Sequence, residues 1–210
     1  MDAKFFDEDY YERGLQTGKS CYQNYIWIPE LTIPFAMALI DNLKITKEHT
    51  ILDYGCSKGF LVKALRMLHR KAWGVDISEY ALNNVPEDIK IFCHKVGEID
   101  SMFFDFCIAK DVFEHIPVEE LTGILKELKT KTLYSIIPLG CNGKYYAESN
   151  NMDKSHVICE DDIWWKNFFL SVGWQLIDFT YNVDGIKESY RTIPKAHGFF
   201  TLKNKKENDL

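Results

Sequence analysis

From residue 50 onward, short apolar runs alternate with longer stretches of helical spacing, a rhythm that reads as strand and helix in turn. Thr50-Ile-Leu-Asp53 is a short buried strand, residues 59–69 an amphipathic helix, and Ala72-Trp-Gly-Val-Asp76 a second strand. Residues 78–84 predict a short helix with Ser78 as its cap. Residues 89–94, 104–109 and 132–138 follow as third, fourth and fifth strands, with a helix over 118–129 before the fifth. A polar, irregular stretch covers 140–154, then a tryptophan-rich helix 161–172 and two closing strands at 175–181 and 199–203. Strands alternating with helices at this rhythm imply a parallel sheet covered on both faces. In such a sheet, ligands belong at the carboxyl ends of the strands, where strand order reverses.

The first part of the chain has another character. Residues 1–20 are polar and tyrosine-rich, aromatic and aliphatic residues dominate 22–43, and 31–43 has helical spacing closed by the turn-prone Asp41-Asn42. This divides the chain into an N-terminal helical or lid segment, 1–44, and an α/β domain, 45–205; the polar end 203–210 is expected to fray. Lys and Arg number 25 against 31 Asp and Glu, a net charge of −6 that makes nucleic acid an unlikely partner. No stretch approaches the ~18 uninterrupted apolar residues of a membrane span, and the acidic start does not suit a secretory signal. The six cysteines are scattered, with no Cys-x-x-Cys pair, and read as reduced thiols. A soluble, cytoplasmic protein is expected, of oligomeric state that the sequence leaves open.

Chemistry concentrates after the first two strands. Asp53-Tyr-Gly55-Cys-Ser-Lys-Gly59 opens directly into a helix, and its glycines permit a tight turn beside an exposed helix N-terminus. Asp76, at the end of the second strand, can accept hydrogen bonds from both hydroxyls of a ribose. A dinucleotide fingerprint would need glycines where Ser57 and Phe60 stand, so it fails twice. The acidic Asp53 would crowd a pyrophosphate but suits a cationic amino acid group. Gly14-Leu-Gln-Thr-Gly18-Lys19-Ser20 is one residue short of a P-loop, and no buried strand precedes it.

The order Asp-x-Gly-x-x-x-Gly, an acid after the second strand, and Asp111-Val-Phe-Glu114-His115-Ile after the fourth resembles the small-molecule branch of class I S-adenosylmethionine-dependent methyltransferases over about residues 45–205. The resemblance implies a three-layer Rossmann-like α/β fold whose seven-stranded, mostly parallel sheet has an antiparallel C-terminal strand, and S-adenosyl-L-methionine as cofactor. It also implies that Asp53, Gly55, Cys56 and Gly59 hold the amino acid portion and that Asp76 and Ile77 hold the ribose. Val96 and Gly97 would then meet the adenine, and Lys110 would pass near the methionine side. Ser57 stands where the family usually has glycine, a replacement that calls for a negative φ.

The acceptor is read first by omission. The Asn/Asp-Pro-Pro-Tyr/Phe pattern of base-amine methylation is replaced by Lys110-Asp-Val-Phe, and Cys141 lacks the proline of the cytosine pattern. O-methylation of a small polar acceptor, such as a sugar or nucleotide-sugar, is the expectation. The alternatives are a cofactor-binding module without activity and a nucleic-acid or protein methyltransferase. His156 is the candidate base, oriented by Asp153. His115 is a second catalytic candidate, at the start of a helix, with a positioning role as the competing reading. Tyr22 and Tyr25 are candidates for a lid over the acceptor, and Trp164 or its neighbour Trp165 for the acceptor pocket, since both cannot face the core. Asp111, Asp161 and Asp162 could belong to a Mg²⁺ site as in metal-dependent sugar and catechol methyltransferases. Asp161-Asp162 more simply supplies negative charge at a helix N-terminus, however, and no metal site is expected.

Overall fold

The computed structural model describes residues 2–187 and 191–205. Two short helices, α1 (Glu8–Glu12) and α2 (Gly14–Thr17), precede α3 (Pro29–Leu43), which starts on a proline at its first helical position. The alternation then runs β1 (Thr50–Tyr54), α4 (Phe60–Met67), β2 (Lys71–Asp76), α5 (Glu79–Asn83), β3 (Cys93–Lys95) and β4 (Phe104–Lys110). It continues through α6 (Val118–Glu127), β5 (Thr130–Pro138), the small hairpin β6 (Gly140–Cys141) and β7 (Lys144–Tyr145), then α7 (Asp162–Ser171), β8 (Trp174–Thr180) and β9 (His197–Asn204).

The seven-stranded sheet has the order β3-β2-β1-β4-β5-β9-β8. Neighbours from β3 to β5 are parallel, and β9 inserts antiparallel to both β5 and β8. Alternate side chains feed two cores. Leu52, Cys107, Leu133 and Phe200 face α6 and α7, while Ile51, Ile108, Tyr134 and Phe199 face α3 and α4. The helices therefore cover both faces, and the order reverses between β1 and β4, which leaves the carboxyl ends of those strands open to a ligand. This is the three-layer, mostly parallel Rossmann-like architecture read from the sequence.

Local departures have identifiable causes. The third strand begins at Cys93, because Lys90–Phe92 is a 3₁₀ turn. Ile89 is buried and Phe92 packs against the core three residues later, whereas Ile91 is exposed, a spacing of three that a strand cannot provide. His115 lies in a 3₁₀ turn, Phe113–His115, rather than in the helix that follows, which starts only after Pro117. The polar stretch 140–154 holds β6, β7 and the 3₁₀ turn Glu148–Met152. Ser20, in the near-miss P-loop, donates its hydroxyl to the Tyr10 carbonyl (2.6 Å), so that segment is a tethered helical turn. Of the polar C-terminal end, residues 203 and 204 belong to β9, and 206–210 lie outside the described residues. Among the described residues no helix is long and apolar enough to cross a membrane.

Candidate active site

A cavity of about 750 Å³ opens at the carboxyl edge of the sheet, large for a small-molecule site. The loops after β1, β2 and β4 form its floor, and the segment before β1 covers it.

The loop after β1 is set by backbone bonds to the neighbouring strand. Gly55 and Cys56 both donate their N–H to the Val75 carbonyl (2.8 and 3.0 Å). Gly55 has φ +79°, and a Cβ there would lie 2.5 Å from the Val112 side chain, so the position needs glycine twice over. Ser57 has φ +52°, against the negative value expected of it. The cause is the Asp76 carboxylate, which accepts the Ser57 N–H at 2.7 Å and the Ser78 N–H at 2.8 Å and so holds the two loops together. The Ser57 hydroxyl is buried without a hydrogen-bond partner among the described residues.

Asp53 and Asp76 both line the cavity and both are buried. Burial, with Asp76 adding to it and Lys110 opposing, pushes the Asp53 carboxyl up to about 7. Burial also raises Asp76, against the backbone N–H groups of Ser78, Ser57 and Ile77. No hydrogen bond reaches the Asp53 carboxylate among the described residues. A ligand carrying a cation beside it would supply the missing partner.

The loop after β4 carries the opposite arrangement, in which charges are already paired. Asp111, at φ +54°, meets Lys110 (2.6 Å) and Lys187 (2.7 Å), and Lys187 also donates to Nε2 of His197 (2.9 Å). Burial alone would raise the Asp111 carboxyl, but Lys110, Lys187 and His197 hold it well below the carboxylate range. Beyond it, Glu114 is 0% exposed and His115 lines the cavity. The Glu114 carbonyl accepts the N–H groups of Val157 (2.8 Å) and Ile158 (3.0 Å), and this pins the loop bearing His156 against the 3₁₀ turn. The two imidazole rings stand 4.6 Å apart. Burial, then His156, lowers His115 to about 4, and burial also lowers His156.

The cap consists of residues 2–28. Phe6, Tyr10, Tyr11, Tyr22 and Tyr25 stand over the cavity, with Tyr10 and Tyr11 buried. It is fastened on both sides. Lys58 pairs with Glu12 and donates to the Tyr25 carbonyl (2.8 Å), while Tyr10 donates to Asp153 (2.9 Å) and Lys154 donates its N–H to the Lys19 carbonyl (3.1 Å).

Of the residues singled out in the sequence, Asp53, Gly55, Cys56, Asp76, Ile77, Val96, Lys110, His115, Tyr22 and Tyr25 line this one cavity. Gly59, Gly97, Asp153, His156 and Trp164 do not. Gly59 serves packing instead, since a Cβ there would lie 2.7 Å from the Cys93 sulfur. Trp164 stacks on Phe168 on α7 at a ring separation of 5.2 Å, while Trp165 fills the core. Asp153 orients the other histidine: it takes the Ser155 hydroxyl, and Ser155 meets Nδ1 of His115 at 2.8 Å, whereas Nδ1 of His156 donates to the Asn150 carbonyl at 2.8 Å. Glu12, Lys58, Glu114 and Lys187 escaped the sequence reading. Glu114 had a signal, being apolar-flanked and next to His115. Lys187 had none, since it reaches Asp111 from 76 residues away.

Comparison with known proteins now bears on the site. The family model of the methyltransferase domain matches residues 52–132, from within β1 to the start of β5, which include the loops after β1, β2 and β4. Over that stretch the chain is similar to a methyltransferase domain, and its sheet has the fold of S-adenosylmethionine-dependent methyltransferases. An S-adenosylmethionine-dependent methyltransferase from Archaeoglobus fulgidus has the same fold at 15% identity and a TM-score of 0.60, over 80% of this chain and 92% of that one. A Haloferax volcanii methyltransferase solved with its activator Trm112 aligns at 14% identity and 0.59, over 84% and 90%. CalO1, a calicheamicin-biosynthesis methyltransferase solved with S-adenosylhomocysteine, aligns at 12% and 0.57. The alignment covers 83% of this chain but 53% of CalO1, so the chain spans about half of that enzyme's length. No curated protein matches the sequence. The residues present fit S-adenosylmethionine, whose product S-adenosylhomocysteine is bound in CalO1. The cavity holds Asp76 and a buried Asp53 carboxylate that no hydrogen bond reaches among the described residues, groups whose chemistry suits ribose hydroxyls and an ammonium.

Proposed function

We propose that the protein methylates a hydroxyl of a small polar acceptor, a sugar or nucleotide-sugar ring being the class that suits it best, in a cytoplasmic setting. The observation that carries this reading is His115, a neutral imidazole in the wall of the cavity that Asp53 and Asp76 also line. When bound, S-adenosylmethionine supplies a methyl group on a sulfonium whose C–S bonding pair leaves on a neutral thioether, so only the acceptor's proton remains to be removed. Asp53 and Asp76 fix the cofactor's ammonium and ribose, leaving the β4 side of the cavity for the acceptor. There the aromatic faces of Tyr22 and Phe35 can stack on a ring, and Gln23, Asn24 and Thr32 can take its hydroxyls. The cap formed by residues 2–28 acts as a lid that excludes water while the acceptor's hydroxyl is activated at His115.

The test is incubation of the protein with methyl-labelled S-adenosylmethionine and a fractionated small-molecule extract. Label should enter a polar, hydroxyl-bearing fraction. Cofactor binding without transfer to any fraction would instead mark a binding module, and transfer only to nucleic acid or protein would overturn the acceptor class.

A further inference from the structure

Beside the cavity, three groups with lone pairs face one another without a hydrogen bond between them. Nδ1 of His156 bonds the Asn150 carbonyl, which can only accept, so this nitrogen carries the ring's proton and Nε2 keeps its lone pair. Nδ1 of His115 bonds Ser155, whose own hydroxyl proton is given to Asp153, and the same tautomer results. Each Nε2 lies 3.9 Å from Oε1 of Glu114, beyond hydrogen-bond reach. Glu114 is fully buried, and neither of its carboxylate oxygens has a hydrogen-bond partner among the described residues. A buried carboxylate without a hydrogen bond is costly, and the two Nε2 atoms that face it are acceptors as well. A cation at the centre of the three ligand atoms would partner all of them.

We propose that Glu114, His115 and His156 hold a divalent first-row transition-metal ion of the zinc or manganese kind. Two imidazole nitrogens and one carboxylate suit such an ion better than Mg²⁺ or Ca²⁺, which favour all-oxygen shells. The three ligand atoms lie within 4.8 Å of one another. Tetrahedral bonds of 2.0–2.1 Å would bring them to about 3.4 Å, a closure that small side-chain rotations provide. The groups behind the ligands are those a metal site requires. The Asn150 carbonyl and the Ser155–Asp153 pair fix both imidazole tautomers, and the two N–H groups on the Glu114 carbonyl lock the His156 loop in place. Three protein ligands leave a position open, and His115 borders the cavity.

This inference rests on the proposed hydroxyl methylation and specifies how the acceptor is activated. The acceptor oxygen takes the open position, which lowers the pKa of its hydroxyl, and the proton passes out to bulk water. The oxygen's pair then forms the C–O bond as the C–S bond breaks, and sulfur takes that pair. The metal keeps its oxidation state, and His115 acts as a ligand.

The decisive experiment uses untagged full-length protein stripped with a chelator and titrated with Co²⁺, read by visible absorption. One equivalent should bind with ligand-field bands and be displaced by Zn²⁺. Glu114→Gln and His156→Asn should each weaken uptake about tenfold or more, with S-adenosylhomocysteine binding retained as the check on folding. No uptake by the folded wild-type chain, or uptake unaltered in both variants, overturns the site; the wild-type arm decides even where a variant fails to fold. Full methyl transfer by protein that takes up no Co²⁺ would remove the metal and leave the methylation reading intact. Co²⁺ uptake without transfer to any acceptor would leave the site and remove its role in methylation.

Discussion

The two halves of the cavity floor are built on opposite principles. After β1 and β2, the surface comes from two short stretches, residues 53–61 and Asp76 with Ile77, and backbone N–H groups hold it. Its charges are left for a ligand: Asp53 is buried, raised and without a hydrogen bond. After β4, Lys110, Asp111, Val112, His115 and Ile116 line the cavity and are held from behind by separate stretches around residues 153–158, 187 and 197. There Asp111 is already neutralised by two lysines, and Glu114 faces two imidazoles. In the proposed function the first half receives the cofactor, and the second, which depends on tertiary assembly, discriminates the acceptor.

The sharpest way to break this contrast is to remove the cap. Deleting residues 1–20 should lower turnover on the order of a hundredfold, because the acceptor side loses its cover, while cofactor affinity changes by less than about tenfold. Parallel turnover and calorimetric binding measurements decide it, and equal losses would place the cap on the cofactor half. Next in size is Asp76→Ala. It removes the acceptor of two backbone N–H groups as well as the ribose partner, so S-adenosylhomocysteine affinity should fall tenfold or more, at about 1.5–3 kcal/mol per charged hydrogen bond.

A pH series sharpens the account further. Asp53 must be ionised to receive an ammonium, so affinity should rise as pH climbs through about 7 and flatten in Asp53→Asn. Stability should move the other way. A carboxyl raised in the fold favours its protonated form, so its contribution is full below the ordinary value of 3.8 and is lost as pH rises through about 7. Chemical denaturation across that window, wild type against Asp53→Asn, reads the difference. The smallest effect is expected from Ser57→Gly. Relief of the positive φ, offset by a more flexible unfolded chain, should add up to about 1 kcal/mol without altering cofactor affinity. A fall in melting temperature would mean that the Ser57 side chain contributes more than its backbone strain costs.

The cofactor half was legible because its chemistry is local. A strand, a glycine turn and an acid after the next strand appear in sequence order, and Asp53, Gly55 and Asp76 meet in space for that reason. Ser57 was misread because its φ is set by a bond to Asp76 across the strands, which spacing does not reveal. The third strand was overextended because Ile89, Ile91 and Cys93 alternate like a strand, although the chain buries Ile89 and Phe92 instead. The partnership of Asp153 with His115 rather than His156 rests on the fold-back of residues 156–158 onto Glu114, and no periodicity announces it.

Calorimetric titration of the full chain with S-adenosylhomocysteine, run alongside NAD, tests the central claim most directly. The account predicts saturable one-to-one binding of S-adenosylhomocysteine, lost or at least tenfold weaker in Asp76→Ala, and no binding of NAD. Binding of NAD, or S-adenosylhomocysteine affinity unchanged in Asp76→Ala, would contradict it.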